Sequence, residues 1–281
     1  QHFAHSSNDA STISSNRVAS LFTDNAGRLW AGTTHGLNLV DDVSGRVVRY
    51  AHDAADASSL GGNDITTIYE DRGGLLYVGT KTRGLDKWDP RAGSEAFEVA
   101  AAITGSSQRQ PNVTSFVEDD DGTLWVGTFG DGLNAVDRKN GGVVRYRNDP
   151  TSLYRIEDDR VMSLMRDREG RIWVGTMTSG INRIDPETGE YKVFQHDPGD
   201  PTSLSANGIM ALFEDSAGRV WVGTFGGGIS RFDARTNEFT RFDSNAVVSS
   251  STSSDRITSF AEDSFGQIWI GTEGGGLNLF D

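Results

Sequence analysis

Apolar and polar residues alternate over short stretches of this chain, and nowhere does a helical period persist. ITTIYED from Ile65, LWVGT from Leu124 and GINRID from Gly180 are typical short apolar runs of strand length. A two-residue period is that of a strand half-buried in a sheet, whereas an amphipathic helix repeats every three to four residues over several turns. Turn residues separate the runs. The form Asp-x-x-Gly recurs, as in Asp167 to Gly170 and Asp215 to Gly218. Aspartate hydrogen-bonds its own turn there, and glycine supplies the positive φ of a bulged hairpin.

The runs are copies of one another. GRLWAGT at Gly27 returns as GTLWVGT, GRIWVGT, GRVWVGT and GQIWIGT, and GLLYVGT at Gly74 carries Tyr in place of Trp. The Gly-Thr pairs fall at Gly32, Gly79, Gly127, Gly175, Gly223 and Gly271, at spacings of 47, 48, 48, 48 and 48 residues. Each copy holds four strand-like runs, the signature of a β-propeller blade. The last copy stops after its third run, GLNLFD, while the opening QHFAH matches the fourth-run tail that ends at His52. The sequence therefore predicts an all-β fold over residues 1–281. It is a single-domain, six-bladed β-propeller of four-stranded antiparallel blades, closed by the N-terminal strand completing the last blade. The alternative is a piece of a longer blade array that closes imperfectly or assembles through its ends.

Composition narrows the partners. With 26 basic and 40 acidic residues, a net charge of −14, the whole-chain field repels nucleic acid and anionic membrane surfaces. No cysteine is present, which removes disulfides, thiolate nucleophiles and cysteine metal sites. No apolar run is long enough to span a bilayer, and the first ten residues lack the pattern of a signal peptide. The expectation is a chain that touches neither nucleic acid nor membrane and needs no cofactor or metal.

Residues that could carry chemistry mostly sit at repeat positions. Trp30, Trp125, Trp173, Trp221 and Trp269 share one second-strand position with Tyr77, which reads as packing between blades and not as sugar platforms. The pairs Glu70-Asp71, Glu118-Asp119, Glu214-Asp215 and Glu262-Asp263 resemble metal or glycosidase carboxylates. Their recurrence at one turn makes them structural, the Asp shaping the hairpin and the Glu ending the first strand. Of five histidines, His5, His52 and His196 share a loop position, and only His35 stands in a variable loop. No catalytic residues are expected, and a lyase or hydrolase is the least supported reading.

The assembled consensus, V/I-x-S/T-x-x-E-D-x-x-G-x-L/I-W-V-G-T-x-x-G-G-L/I-N-x-x-D, resembles the two-component regulator propeller family. SFVEDDDGTLWVGTFGDGLNAVD from Ser115 and ALFEDSAGRVWVGTFGGGISRFD from Ala211 are two of its copies. The loop HDPGDPTSLSANGI from His196 is similar to the inter-blade segment of that family. The resemblance implies a periplasmic, non-catalytic sensor region of a membrane-anchored bacterial receptor. The output module of such a receptor is typically a histidine kinase, a hybrid regulator or a diguanylate cyclase. Some members detect oligosaccharides. The implied partners are an oligosaccharide or another small ligand and the remaining domains of the receptor. A rigid interaction or homodimerisation scaffold is the second reading.

Ligand-binding residues are expected where the repeat varies, on the loops that line a channel mouth. Before the innermost strands stand Arg17, Asp64, Asn112, Arg160 and Arg256. After the Gly-Thr pairs come His35, Lys81 and Arg83, Phe129 and Asp131, Phe225, and Glu273. Cations on an acidic chain favour a carboxylate or sulfate, which an Arg fork holds bidentately, and Phe129 and Phe225 offer sugar-stacking faces. Alternatively these arginines pair with neighbouring acids such as Asp64, Asp159 and Asp255.

Overall fold

In the computed structural model, residues 2–41, 43–93, 96–99, 111–242 and 253–280 are described. The first sheet is β1 (Val18–Thr23), β2 (Leu29–Thr33), β3 (Gly36–Val40) and β4 (Val47–Tyr50). The second is β5 (Ile65–Glu70), β6 (Leu76–Thr80), β7 (Leu85–Trp88) and β8 (Glu98–Val99). β9 (Val113–Glu118), β10 (Thr123–Thr128), β11 (Leu133–Asp137) and β12 (Val143–Tyr146) make the third. β13 (Val161–Arg166), β14 (Ile172–Thr176), β15 (Ile181–Ile184) and β16 (Tyr191–Phe194) make the fourth. The fifth is β17 (Ile209–Glu214), β18 (Val220–Thr224), β19 (Ile229–Asp233) and β20 (Glu238–Phe242). β21 (Ile257–Glu262), β22 (Ile268–Thr272) and β23 (Gly276–Phe280) form the sixth. Strands neighbour one another in sequence order, the meander of a propeller blade, so the fold is the six-bladed β-propeller that the repeat predicts. The chain packs as two compact units, Gln1–Ser115 with Val136–Val143, and Phe116–Ala135 with Val144–Asp281.

One clasp recurs in five of the six blades. The aspartate after the first strand accepts the indole N–H of the second-strand tryptophan: Trp30 to Asp24 at 2.8 Å, Trp125 to Asp119 at 2.8 Å, Trp173 to Asp167 at 2.7 Å, Trp221 to Asp215 at 2.8 Å and Trp269 to Asp263 at 2.9 Å. Its other oxygen takes the backbone N–H four residues on, as Asp215 takes Arg219 N at 2.8 Å. The side chain thus closes the hairpin and orients the ring together. Trp30, Trp173 and Trp221 are fully buried.

These rings pack blade on blade within each unit. Trp30 meets Trp88 of the next sheet edge-on at 5.5 Å, so Trp88, outside the repeat register, is core as well. Trp173 meets Phe232 at 5.0 Å, and Trp221 meets Phe280 at 4.9 Å. The Gly-Thr glycine permits the approach. A Cβ on Gly32, Gly175 or Gly223 would lie 2.6 Å from the Cγ2 of Ile65, Ile209 or Ile257, the β-branched residue opening the next blade. The glutamates of the acidic pairs add polar ties to the preceding turn. Glu70 accepts Asn25 N at 2.6 Å, Glu214 accepts Arg168 N at 2.8 Å, and Glu262 accepts Ser216 N at 2.7 Å. In the fourth blade the polarity reverses, Arg166 holding Asp120.

The expected completion of the sixth blade by the N-terminal strand is not what the structure displays. Residues 2–6 form no strand, and the sixth sheet has three strands among the described residues. Local bonds engage the segment instead: His5 N donates to Asn16 Oδ1 at 2.7 Å, the His5 ring meets Ile13 O at 2.8 Å, and Phe3 packs with Ile13, Val40 and Val47. His52 and His196 make the same two contacts with Asn63 and Leu60, and with Asn207 and Leu204. The tail match at His5 therefore reflects a shared loop structure. In the first unit Val18 is 43% exposed although its counterparts Ile65, Val161, Ile209 and Ile257 are fully buried, and in the second unit Leu277 is 66% exposed.

Two outcomes follow from this packing. Gly223→Ala drives a methyl into Ile257, and its thermal unfolding should reveal a loss of about 1–3 kcal/mol; an unchanged midpoint would contradict the close approach. Burial pushes the Asp215 carboxyl up, but the Trp221 indole and the Arg219 amide and guanidinium outweigh it and hold the group below its ordinary value. A depressed folded pKa contributes stability above the unfolded value, about 3.9, that is lost as pH falls through the folded one. Asp215→Asn should therefore cost about 1.5–3 kcal/mol at neutral pH and flatten the loss of stability below about pH 4, read by denaturation at several pH values.

Candidate functional site

The two loop sets that carry the expected ligand residues do meet, blade by blade. The residue before each first strand gives its carbonyl to the N–H that follows the Gly-Thr pair: Arg17 to Thr34 at 3.3 Å, Asp64 to Lys81 at 2.9 Å, Arg160 to Met177 at 3.0 Å, Gly208 to Phe225 at 2.8 Å and Arg256 to Glu273 at 2.8 Å. This ladder extends the first strand pair past a bulge, which lies between Val18 and Ser20 in the first blade and recurs in the fourth, fifth and sixth. The bulge ends the regular pairing and releases the last side chains from the sheet.

In the second unit the loops make two alike backbone bridges, one of which also carries an aromatic–cation pair. Phe129 bridges to Arg160 and Phe225 to Arg256, each from one blade to the next. The Arg256 guanidinium lies 4.0 Å from the Phe225 ring centroid and 3.2 Å from Glu273. Both phenylalanines keep large exposed faces, 42% for Phe129 and 40% for Phe225. Arg160 is held by Asp158 through two parallel bonds, Nε at 2.9 Å and Nη2 at 3.0 Å, and by Thr178 Oγ1 at 2.7 Å. Asp158 also caps Arg160 N and Thr178 N, both at 3.0 Å. Burial pushes Asp158 up, yet the Arg160 and Thr178 bonds bring it below its ordinary value. Arg160 thus answers to an acid, but Asp158 and not the adjacent Asp159, whose side chain caps Asn148 N at 2.7 Å and whose carbonyl takes Gly130 N and Gly132 N. Asp131 pairs with Arg147 at 3.3 Å.

In the first unit the candidates stay apart. Lys81 stands 3.9 Å from Asp64, both exposed enough for the pair to contribute little. His35 is exposed and its ring meets Thr34 Oγ1 at 3.1 Å. Arg17 is exposed, with no ion pair seen among the described residues. Asn112 keeps a buried Oδ1 without a hydrogen-bond partner. Arg83 stands on the rim of a cleft of about 260 Å³ whose walls include His52, Asp56, Ser59 and Val99. Among the described residues no cluster of three His, Asp or Glu side chains could hold a metal ion.

Sequence reasoning missed Asp158 and Thr178. Asp158 belongs to an Asp-Asp-Arg run in which only geometry tells the clamp from the cap. It also missed Asp86, whose sole signal is that Asn stands at its position in four other copies.

A family model described as two component regulator propeller matches residues 12–35, 59–82, 107–130, 156–178, 203–226 and 251–274, together just over half of the chain. Among solved structures, the extracellular domain of a hybrid two component system from B. thetaiotaomicron is similar at 22% identity and a TM-score of 0.69, covering 96% of this chain and 40% of that one. A one component system extracellular domain from the same organism gives 22% identity and a TM-score of 0.54, covering 97% and 37%. Virginiamycin B lyase from Staphylococcus aureus gives 11% identity and a TM-score of 0.63, covering 94% and 84%. At these identities the likeness is one of fold, and the chain spans about two fifths of the two extracellular domains. No curated protein sequence matches the chain.

The clamp on Arg160 has a measurable weight. Asp158→Ala strips the guanidinium and two backbone N–H groups of their acceptor, and should destabilise the chain by about 2–4 kcal/mol while Asp159→Ala costs about 1 kcal/mol, compared by denaturant titration. Equal losses would mean that the two acids share the load.

Proposed function

The chain belongs to the two component regulator propeller family, and from that premise we propose that it is the non-catalytic ligand-sensing region of a bacterial signalling receptor, located outside the cytoplasmic membrane. Its ligand is an oligosaccharide, with acidic sugars favoured over neutral ones. The observation that carries this reading is the half-exposed Phe225 ring with the Arg256 guanidinium over it, on a loop free to vary from copy to copy, while the exposed Phe129 makes the same backbone bridge to Arg160. An exposed aromatic face takes the apolar face of a pyranose ring, and a neighbouring guanidinium takes a carboxylate or sulfate. Fold likeness to extracellular domains of one and two component systems supports the placement.

Catalysis fits less well. A lyase or hydrolase needs an acid and a base converging on one pocket. His35 stands alone in its loop, while the His5, His52 and His196 rings are engaged by backbone carbonyls. Occupancy would be relayed through contacts with the remaining domains of the receptor.

Titration calorimetry of the intact receptor ectodomain against neutral and acidic oligosaccharides tests this directly. Binding should be tighter for the acidic members, and Phe225→Ala or Arg256→Ala should weaken it about tenfold or more, equivalent to about 1.4 kcal/mol. Absence of binding across the panel would remove the sensor reading in favour of a rigid scaffold that joins receptor domains or subunits.

A further inference from the structure

Comparison of the copies exposes a cation site built into the second blade. In the first blade the loop 6–13 folds around an arginine from its own fourth strand. Arg49 Nε donates to Thr12 O at 2.6 Å, and Nη2 donates to Asp9 O at 2.8 Å, Thr12 Oγ1 at 2.8 Å and Ile13 O at 3.2 Å. The fifth blade repeats the arrangement on the loop 197–204. There Arg241 Nε donates to Ser203 O at 2.8 Å, and Nη2 to Asp200 O at 2.6 Å and Ser203 Oγ at 2.6 Å. A ring of carbonyls and one hydroxyl is thus shaped to a guanidinium, whose planar fork suits several acceptors at once.

The second blade has the loop without the arginine. Its internal bonds match those of the fifth blade one for one. Asp53 N donates to Ser59 Oγ at 2.9 Å where Asp197 N donates to Ser203 Oγ at 2.8 Å, and Ser59 Oγ donates to Asp56 O at 2.7 Å where Ser203 Oγ donates to Asp200 O at 2.9 Å. Asp56 N to Asp53 O at 3.1 Å and Ser59 N to Asp56 O at 3.1 Å complete the match. The acceptors corresponding to the guanidinium ligands are the carbonyls of Asp53, Asp56 and Ser59 and the Ser59 hydroxyl. The residue in register with Arg49 and Arg241 is Val99, which lines the cleft of about 260 Å³ that adjoins Asp53, Asp56 and Ser59.

A second change accompanies the first. Arg49 pairs across the sheet with Asn38 and Arg241 with Ser230, both neutral, whereas Val99 pairs with Asp86. Asp86 is fully buried, its Oδ2 accepts Gly61 N at 2.9 Å beside the cleft, and its Oδ1 has no hydrogen-bond partner. Burial pushes this carboxyl up to about 6, with only the Gly61 amide and the His52 ring opposing. The fourth blade also lacks the arginine, with Val193 opposite the neutral Asn182, but the second blade keeps the loop that holds the guanidinium elsewhere and adds a buried carboxylate at the adjoining position.

We propose that the loop 53–60 of the second blade, with Asp86 beneath it, binds a guanidinium group brought by another molecule, either free arginine or an arginine side chain of a partner polypeptide. Arg83 on the cleft rim sets the orientation, repelling the cation from its side and attracting the carboxylate of a free amino acid.

Titration calorimetry of the full chain with L-arginine, with N-acetyl-L-arginine amide and with the uncharged isostere L-citrulline tests the proposal. At least one of the two guanidinium probes should bind and citrulline should not. Tighter binding of L-arginine points to the free amino acid, and tighter binding of the amide to a polypeptide. Val99→Arg should supply the guanidinium from within, raising the thermal midpoint and abolishing binding. Asp86→Asn, which restores the residue common to the other copies, should weaken binding about tenfold. Equal response to arginine and citrulline, no response to either guanidinium probe, or full binding by a folded Val99→Arg variant would overturn the proposal.

Discussion

Everything else in this structure depends on a buried aspartate that has two jobs. In five of the six blades the carboxylate after the first strand closes the hairpin through backbone N–H groups and accepts the indole N–H of the tryptophan that follows, as Asp167 does for Arg171 and Trp173. A buried indole with an orphaned N–H would lose about 1–3 kcal/mol, and a buried carboxylate without donors would lose more. Each group therefore makes the other tolerable. With the turn and the ring fixed by one side chain, the ring is held where a neighbouring blade packs on it, as Phe232 packs on Trp173.

The joint between blades is a steric and polar match to that presented face. Glycine at the fourth residue of the second strand lets a β-branched residue approach the backbone, as Ile209 approaches Gly175. At the rim a glutamate of one blade holds a turn amide of the blade before, as Glu214 holds Arg168. Arg166 and Asp120 reach the same end with the charges exchanged, which indicates that the joint needs complementarity and is indifferent to which side carries the acid.

A frame this repetitive turns departures into information. Phe129 and Phe225 sit at one loop position, each bridged through its backbone to an arginine of the following blade, while Lys81 and His35 at comparable places are exposed. The second blade departs twice at adjoining positions, Val99 for arginine and Asp86 for asparagine, and keeps the loop conformation that the lost arginine would hold. The fourth blade also has a valine there, Val193, but opposite the neutral Asn182, so the pairing of both changes is what sets the second blade apart.

The sequence by itself determined the blade count, the strand order and the core. Period-two alternation and six copies of one turn chemistry leave little else for Trp30, Trp173 or Trp221 to do but pack. It also determined that His5, His52 and His196 are loop structure, since a repeated residue answers to a repeated need. Tertiary structure alone decided matters in which several groups compete for one partner. Asp158 and Asp159 are identical in composition and adjacent in sequence, and only the turn between them sends the first to Arg160 and the second to Asn148. The opening residues 2–6 match the tail at His52, and only the folded backbone shows that His5 bonds Asn16 and Ile13. Periodicity is written residue by residue, whereas the assignment of a charge or a chain end depends on which acceptor the folded backbone brings closest.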